Sequence, residues 1–207
     1  MFLATNRFDL AAAAYQKALR IEPSSVAAMY GAGETARRQG NIEEAERLLT
    51  PILTRNAAHL PTLYSLTRIA QSREDWPAAI RWQRANIAAD SKPKAQDFGL
   101  LGEFLVNAGQ YDEAPETLEH ALTLDPYLFS AHRNLGLLYR RAGQWRDALP
   151  HLELVARLSP TLDSRVYLAL ADAYRGLGRP RDARAALRKG LRFFPSDREI
   201  AMQLGPF

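Results

Sequence analysis

The run Gly31-Ala32-Gly33-Glu34-Thr35-Ala36 has a glycine spacing that, between a strand and a helix, cradles the pyrophosphate of a dinucleotide. No strand pattern precedes it here. The run sits inside a helical pattern, so it reads as helix interior rather than as a phosphate loop. Four histidines, His59, His120, His132 and His151, are candidate bases or metal ligands. No His-x-x-x-His or Glu-x-x-His spacing sets two ligands on one helix face, and they read as scattered surface residues. The pairs Glu43-Glu44 and Asp112-Glu113 stand where helices are expected to open, and the positive helix end explains them without acid–base chemistry. The chain has no cysteine, which removes disulfides, thiolate metal sites and a cysteine nucleophile. Neither a Gly-x-Ser-x-Gly elbow nor a P-loop is present. The expectation is a protein with no catalytic site, cofactor or metal.

The elements that carry these residues follow one period. Ala11, Ala45, Ala79, Ala114, Ala148 and Ala183 are separated by 34, 34, 35, 34 and 35 residues. Three residues before each alanine comes Phe8, Ile42, Trp76, Tyr111, Trp145 or Pro180. Five before comes Asn6, Gly40, Glu74, Gly109, Gly143 or Gly178. Twelve before, from the second alanine on, comes Gly33, Thr67, Gly102, Gly136 or Ala171, all small, each preceded by Ala32, Leu66, Leu101, Leu135 or Leu170. Twelve after comes Pro23, Ala57, Ser91, Pro126, Pro160 or Pro195. A small residue lets two helix backbones close up. A glycine takes the left-handed conformation that ends a first helix, and a proline stops the second. Apolar residues between these marks fall at helical spacing, as in Leu135, Leu138 and Tyr139. On the register, Trp76 and Trp145 belong to the core, whereas Trp82 lies off it and is expected to be exposed. Pro51, late in a second helix, is expected to kink or shorten it.

With 47% apolar and 24% charged residues the chain is expected to fold. No apolar run approaches the roughly 20 residues that span a bilayer. The first residues, Met-Phe-Leu-Ala-Thr-Asn-Arg, lack a signal-peptide pattern. The formal charge is +4, and nearly all basic residues are arginine; the lysines are Lys17, Lys92, Lys94 and Lys189.

At this register, and most clearly over Leu100–Pro126 and Asn134–Pro160, the sequence resembles the tetratricopeptide repeat family, whose pattern spaces Leu-Gly, Tyr, Gly, Ala and Pro over about 34 residues. The resemblance implies an all-α, right-handed solenoid of stacked antiparallel helix pairs. Its expected divisions are a truncated repeat over residues 1–25, mainly a second helix; repeats over 26–59, 60–94, 95–128, 129–163 and 164–197; and a stub or capping helix over 198–207. The 60–94 copy departs most: Glu74 replaces the turn glycine, Asn86 stands at an interhelix position, Ser91 replaces the proline, and residues 90–94 add one, which reads as drift or as a bend. Ser196 and Glu199 form a capping-box pattern for the last helix, with Gly205 and Pro206 as its stop. The opening inside a repeat suggests a fragment of a longer solenoid.

The resemblance further implies that first helices line a concave, partner-binding face. By register that face carries Tyr30, Glu34, Arg37, Arg38, Tyr64, Arg68 and Gln71, then Gln96, Glu103 and Asn107, then Ser130, Arg133, Asn134, Leu137, Arg140 and Arg141, and finally Arg165, Asp172, Arg175 and Glu199. Eight arginines against four acids make a basic groove suited to an acidic or mixed protein segment. Asn134 and Arg165 match two places of the clamp by which some members grip chaperone tails, but Gly99, Glu103 and Ala169 fill the other three and exclude it. The implied role is a non-enzymatic scaffold or adaptor in a bacterial assembly such as secretion, pilus or exopolysaccharide export. The alternatives are nucleic-acid binding by the arginine face, with Tyr30 and Tyr64 as stacking platforms, and a passive spacer.

Overall fold

The computed structural model describes residues 2–205, with side chains from residue 7 onward. These residues form twelve α-helices and no strand: α1 (Phe2–Ile21), α2 (Val26–Gln39), α3 (Ile42–Arg55), α4 (Leu60–Ser72), α5 (Trp76–Ala89), α6 (Ala95–Asn107), α7 (Ala114–Leu124), α8 (Phe129–Arg141), α9 (Trp145–Leu158), α10 (Arg165–Gly176), α11 (Pro180–Phe193) and α12 (Arg198–Leu204). The fold is an all-α helical-repeat solenoid. Two compact units divide between Pro93 and Lys94, inside the segment where the repeat pattern is weakest. In the first unit α2 pairs with α3 and α4 with α5, and α1 packs on α2. In the second α6 pairs with α7, α8 with α9 and α10 with α11, and α12 packs on α11.

Each hairpin is set by two backbone requirements. The turn residue lies in the left-handed region, with φ of 81°, 76°, 70° and 71° at Gly40, Gly109, Gly143 and Gly178. Glu74 meets the same requirement at φ 54°, as the one non-glycine residue with positive φ among those described. The second requirement is close approach. A Cβ on Gly33, Gly102 or Gly136 would lie 2.7, 2.4 or 2.7 Å from the side chain of Leu49, Leu118 or Leu152. All three leucines are fully buried, which stabilises each hairpin by about 2 kcal/mol per side chain. In the 60–94 hairpin, Thr67 and Gln83 hold the equivalent places, and both are buried.

The first unit's core centres on Met29, Leu49, Ile52, Leu66 and Ile69. The second unit's main cluster includes Leu152, Val155, Tyr167, Leu187 and Ile200, with the Tyr167 hydroxyl donating to the carbonyl of Pro160 at 2.9 Å.

Several expectations need correction. Pro51 does not shorten α3, which at 14 residues equals α5, α9 and α11. The prolines Pro23, Pro126, Pro160 and Pro195 sit two residues past the last helical residue, in the turn. Asp197, not Ser196, caps α12: its carboxylate accepts from the backbone N–H groups of Glu199 and Ile200, both at 3.0 Å. Gly205 follows α12, and Pro206 lies outside the described residues. Trp82 is half-buried against the first unit's core, with the Arg81 guanidinium 4.4 Å over its ring. Trp76 and Trp145 are half-buried at the hairpin turns rather than in the core.

Candidate partner-binding faces

In the first unit the expected face is built by α2 and α4. Glu34 is its organising residue. Its carboxylate accepts from Arg37 Nε and Nη2 at 2.9 and 2.7 Å, from Arg38 Nε at 2.9 Å and from Ser65 Oγ of α4 at 3.0 Å. The hydrogen bonds from Arg37 foremost, then from Arg38 and Ser65, outweigh partial burial and hold the carboxyl at about 2, from an ordinary 4.5. Tyr30 stands edge-on to His59, ring centres 5.6 Å apart. With Tyr15 and Thr35 it borders an open cavity of about 720 Å³ between α1 and α2, which Glu34 and Arg38 also line. Tyr64 is 55% exposed, and Arg68 donates to Gln71 at 2.7 Å beside it.

In the second unit α6, α8 and α10 supply the face. Two acid-centred clusters dominate it. Asp172 accepts from Arg140 at 2.7 Å and from Arg175 at 3.3 Å, and Arg175 also donates to Gln203 of α12 at 2.9 Å. Asp163, in the turn before α10, accepts from Arg165 at 2.8 Å and lies 3.9 Å from Arg133. Burial alone would raise the Asp163 carboxyl, but hydrogen bonds from Arg165 and the nearby Arg133 charge keep it below its usual value. Beside Arg133 sits Asn134, 4% exposed. Its Oδ1 accepts from Arg133 Nη2 at 3.4 Å. Among the described residues, Asn134 Nδ2 and Arg133 Nε are buried and have no hydrogen-bond partner.

The face thus gathers Tyr30, Glu34, Arg37 and Arg38 into one group, and Arg133, Asn134, Arg140, Arg165, Asp172 and Arg175 around two acids. Other expected residues stand apart. Gln96 and Asn107 are exposed at opposite ends of α6, and Glu103 is half-buried between them. Leu137 packs on the core, and Arg141 stacks 4.3 Å over Tyr111. Ser65, Asp163 and Gln203 were missed. Asp163 precedes its helix, so a count restricted to helical positions passes over it, although its position two residues before Arg165 is a readable signal.

The expected basic excess of this face is correspondingly smaller. Six of its eight arginines lie against Glu34, Asp163 or Asp172. Of the chain's 27 basic and 23 acidic residues, α11 alone holds five and one, which leaves 22 of each elsewhere.

The histidines are not all scattered. The antiparallel crossing of α8 and α9 brings His132 Nδ1 to 2.8 Å from His151 Nδ1, while His132 Nε2 bonds the Pro126 carbonyl at 2.9 Å. A carbonyl can only accept, so His132 carries its proton on Nε2 and His151 donates to it. Burial, then the His132 neighbour, pushes the His151 pKa down against the opposing charges of Glu119 and Asp147. Among the described residues no group of three or more His, Cys, Asp or Glu side chains is placed to hold a metal ion.

Family models of the tetratricopeptide repeat match residues 2–69, 98–127 and 127–196. No curated protein sequence matches the chain. Solved structures share its fold. YrrB, described as a TPR protein with an unusual peptide-binding site, superposes with TM-score 0.77 at 19% identity, over 93% of this chain and 98% of that one. MamA gives 0.74 at 22% identity, over 87% and 98%. PilW, described as a widely conserved type IV pilus biogenesis factor, gives 0.70 at 17%, over 99% and 94%.

Proposed function

The chain belongs to the tetratricopeptide repeat family, and on that premise we propose that it is a protein–protein interaction scaffold holding an acidic or mixed segment of a partner on its first-helix faces. The observation that carries the reading is the pair of unpartnered donors, Asn134 Nδ2 and Arg133 Nε. A buried donor without an acceptor costs about 1–3 kcal/mol. Both donors are enclosed by the chain, so a partner carbonyl or carboxylate would reach them once the half-buried Arg133 side chain turned aside; it would then remove that cost, and the folded chain favours an acceptor-bearing segment. The description of YrrB as a peptide binder supports the mode, and that of PilW supports a setting in a bacterial assembly such as a pilus or secretion apparatus.

Selection of random peptides on the purified chain tests the proposal. Enriched sequences should carry Asp or Glu, and Asn134→Ala should weaken them about tenfold, the equivalent of one hydrogen bond near 1.4 kcal/mol. Peptides with no acidic preference that bind the variant equally would refute it, and tighter binding of single-stranded nucleic acid would transfer the role to that ligand.

A further inference from the structure

The second helix α11 carries five basic residues against one acid. Arg181, Arg184, Arg188 and Arg192 are all exposed and follow spacings of three and four residues. At 100° per residue they fall within an arc of roughly 80°, along about 16 Å of helix. Lys189 flanks the row and is exposed too. The opposite side, Ala183, Ala186, Leu187 and Gly190, is buried in the second unit's core, so the helix is already docked. Among the described residues none of the five cations has an ion-pair or hydrogen-bond partner. The helix's single acid, Asp182, pairs with Arg179 at 2.7 Å. The preceding second helix repeats the row only in part: at the matching places α9 has Arg146, Leu149, Glu153 and Arg157.

We propose that this row binds the surface of an anionic lipid membrane. A polyanion is required by the charge, and three features select a lipid surface. The row covers on the order of 200 Å², far below the roughly 800 Å² per partner of a specific protein interface and the roughly 600 Å² of even a single nucleic-acid-binding module. It has no apolar centre, whereas protein interfaces are depleted of charge at theirs. It also has no amide, hydroxyl or aromatic group among the arginines to read or stack on bases. A fluid layer of headgroups needs neither shape complementarity nor fixed spacing, and one helix side presents all four guanidinium groups to a plane at once. Arginine binds the phosphate oxygens bidentately. The attachment is peripheral, since no helix among the described residues is long and apolar enough to cross a membrane.

The test is sedimentation of the full chain with phosphatidylcholine vesicles, with and without about one third phosphatidylglycerol. Binding is expected to the anionic vesicles alone and to be lost at high salt, because the contact is screened. Arg184→Gln/Arg188→Gln should weaken it about 25-fold, fivefold for each removed cation of about 1 kcal/mol. Arg20→Gln/Arg81→Gln, with the same charge change elsewhere, should stay within about twofold. Circular dichroism verifies that both variants remain folded. Equal binding to neutral vesicles, equal loss in the two variants, or tighter binding to duplex DNA or polyglutamate than to the vesicles would each overturn the proposal. Peptide selection on the first-helix faces is a separate readout, so failure of either reading leaves the other standing.

Discussion

Replacing Asn134 by leucine is expected to stabilise the protein while abolishing what the residue is there to do. The amide is 4% exposed, its nitrogen has no acceptor, and its oxygen has a long 3.4 Å contact from Arg133. Leaving such a donor unpaired costs about 1–3 kcal/mol, and the weak contact returns about 0.5. Leucine is similar in volume and removes the unpaired donor, and the same register position in α6 is already a leucine, Leu100. A net gain of about 1 kcal/mol is therefore expected, which raises the thermal midpoint by about 3 °C for a chain of this size. Thermal and urea unfolding followed by circular dichroism, with peptide affinity measured alongside, gives both quantities. A loss of stability of 1 kcal/mol or more would show that the amide is satisfied in the folded protein, and the argument for a waiting acceptor would fail with it.

Glu74→Gly should stabilise by about 0.5–1 kcal/mol in urea unfolding, because glycine holds φ 54° without the steric cost a side chain meets there. Gly102→Ala should destabilise by about 1–3 kcal/mol, since the new methyl lies 2.4 Å from Leu118 and must push a fully buried side chain; an unchanged urea midpoint would contradict the tight crossing. On acidification two losses should be separable. His151 has a lowered pKa, so the folded state takes up its proton less readily than the unfolded chain, and stability falls as pH drops below about 6.5; His151→Gln should flatten that step. Glu34 is held at about 2, so its contribution is complete above 4.5 and disappears as pH falls towards 2; Glu34→Gln should remove about 1–2 kcal/mol at neutral pH, after allowance for solvent screening, and little at pH 2.

The helix pairs were legible because their determinants are local: a left-handed turn at five places, a small residue opposite a buried leucine, a proline after the second helix. Glu74 shows the strength of that register, since a residue poorly suited to positive φ still adopts it. The candidate faces were legible in position and not in charge. Register says which side of a helix a residue occupies: Glu34 pairs with Arg37 and Arg38 of its own helix, and within the second unit Asp172 pairs with Arg140 and Arg175. It says nothing of turns, which is why Asp163 was missed, nor of depth, which is why Asn134 was placed among lining residues although it is buried. The His132–His151 contact needed the crossing of two helices that no spacing rule specifies. The five cations of α11 were readable as a helical row, but attention to first helices alone passed over them.

The glycine–leucine crossings have a consequence for how the chain reaches its fold. Gly33 with Leu49, Gly102 with Leu118 and Gly136 with Leu152 each join residues 16 apart. Every such contact can close once a single hairpin has left the ribosome, without waiting for distant sequence, and chains of low contact order fold fast. Synthesis and folding can then advance together, one hairpin at a time. The hairpin of α4 and α5, with Thr67 and Gln83 in place of glycine and leucine, interrupts that progression, and a pause in nascent-chain compaction is expected there.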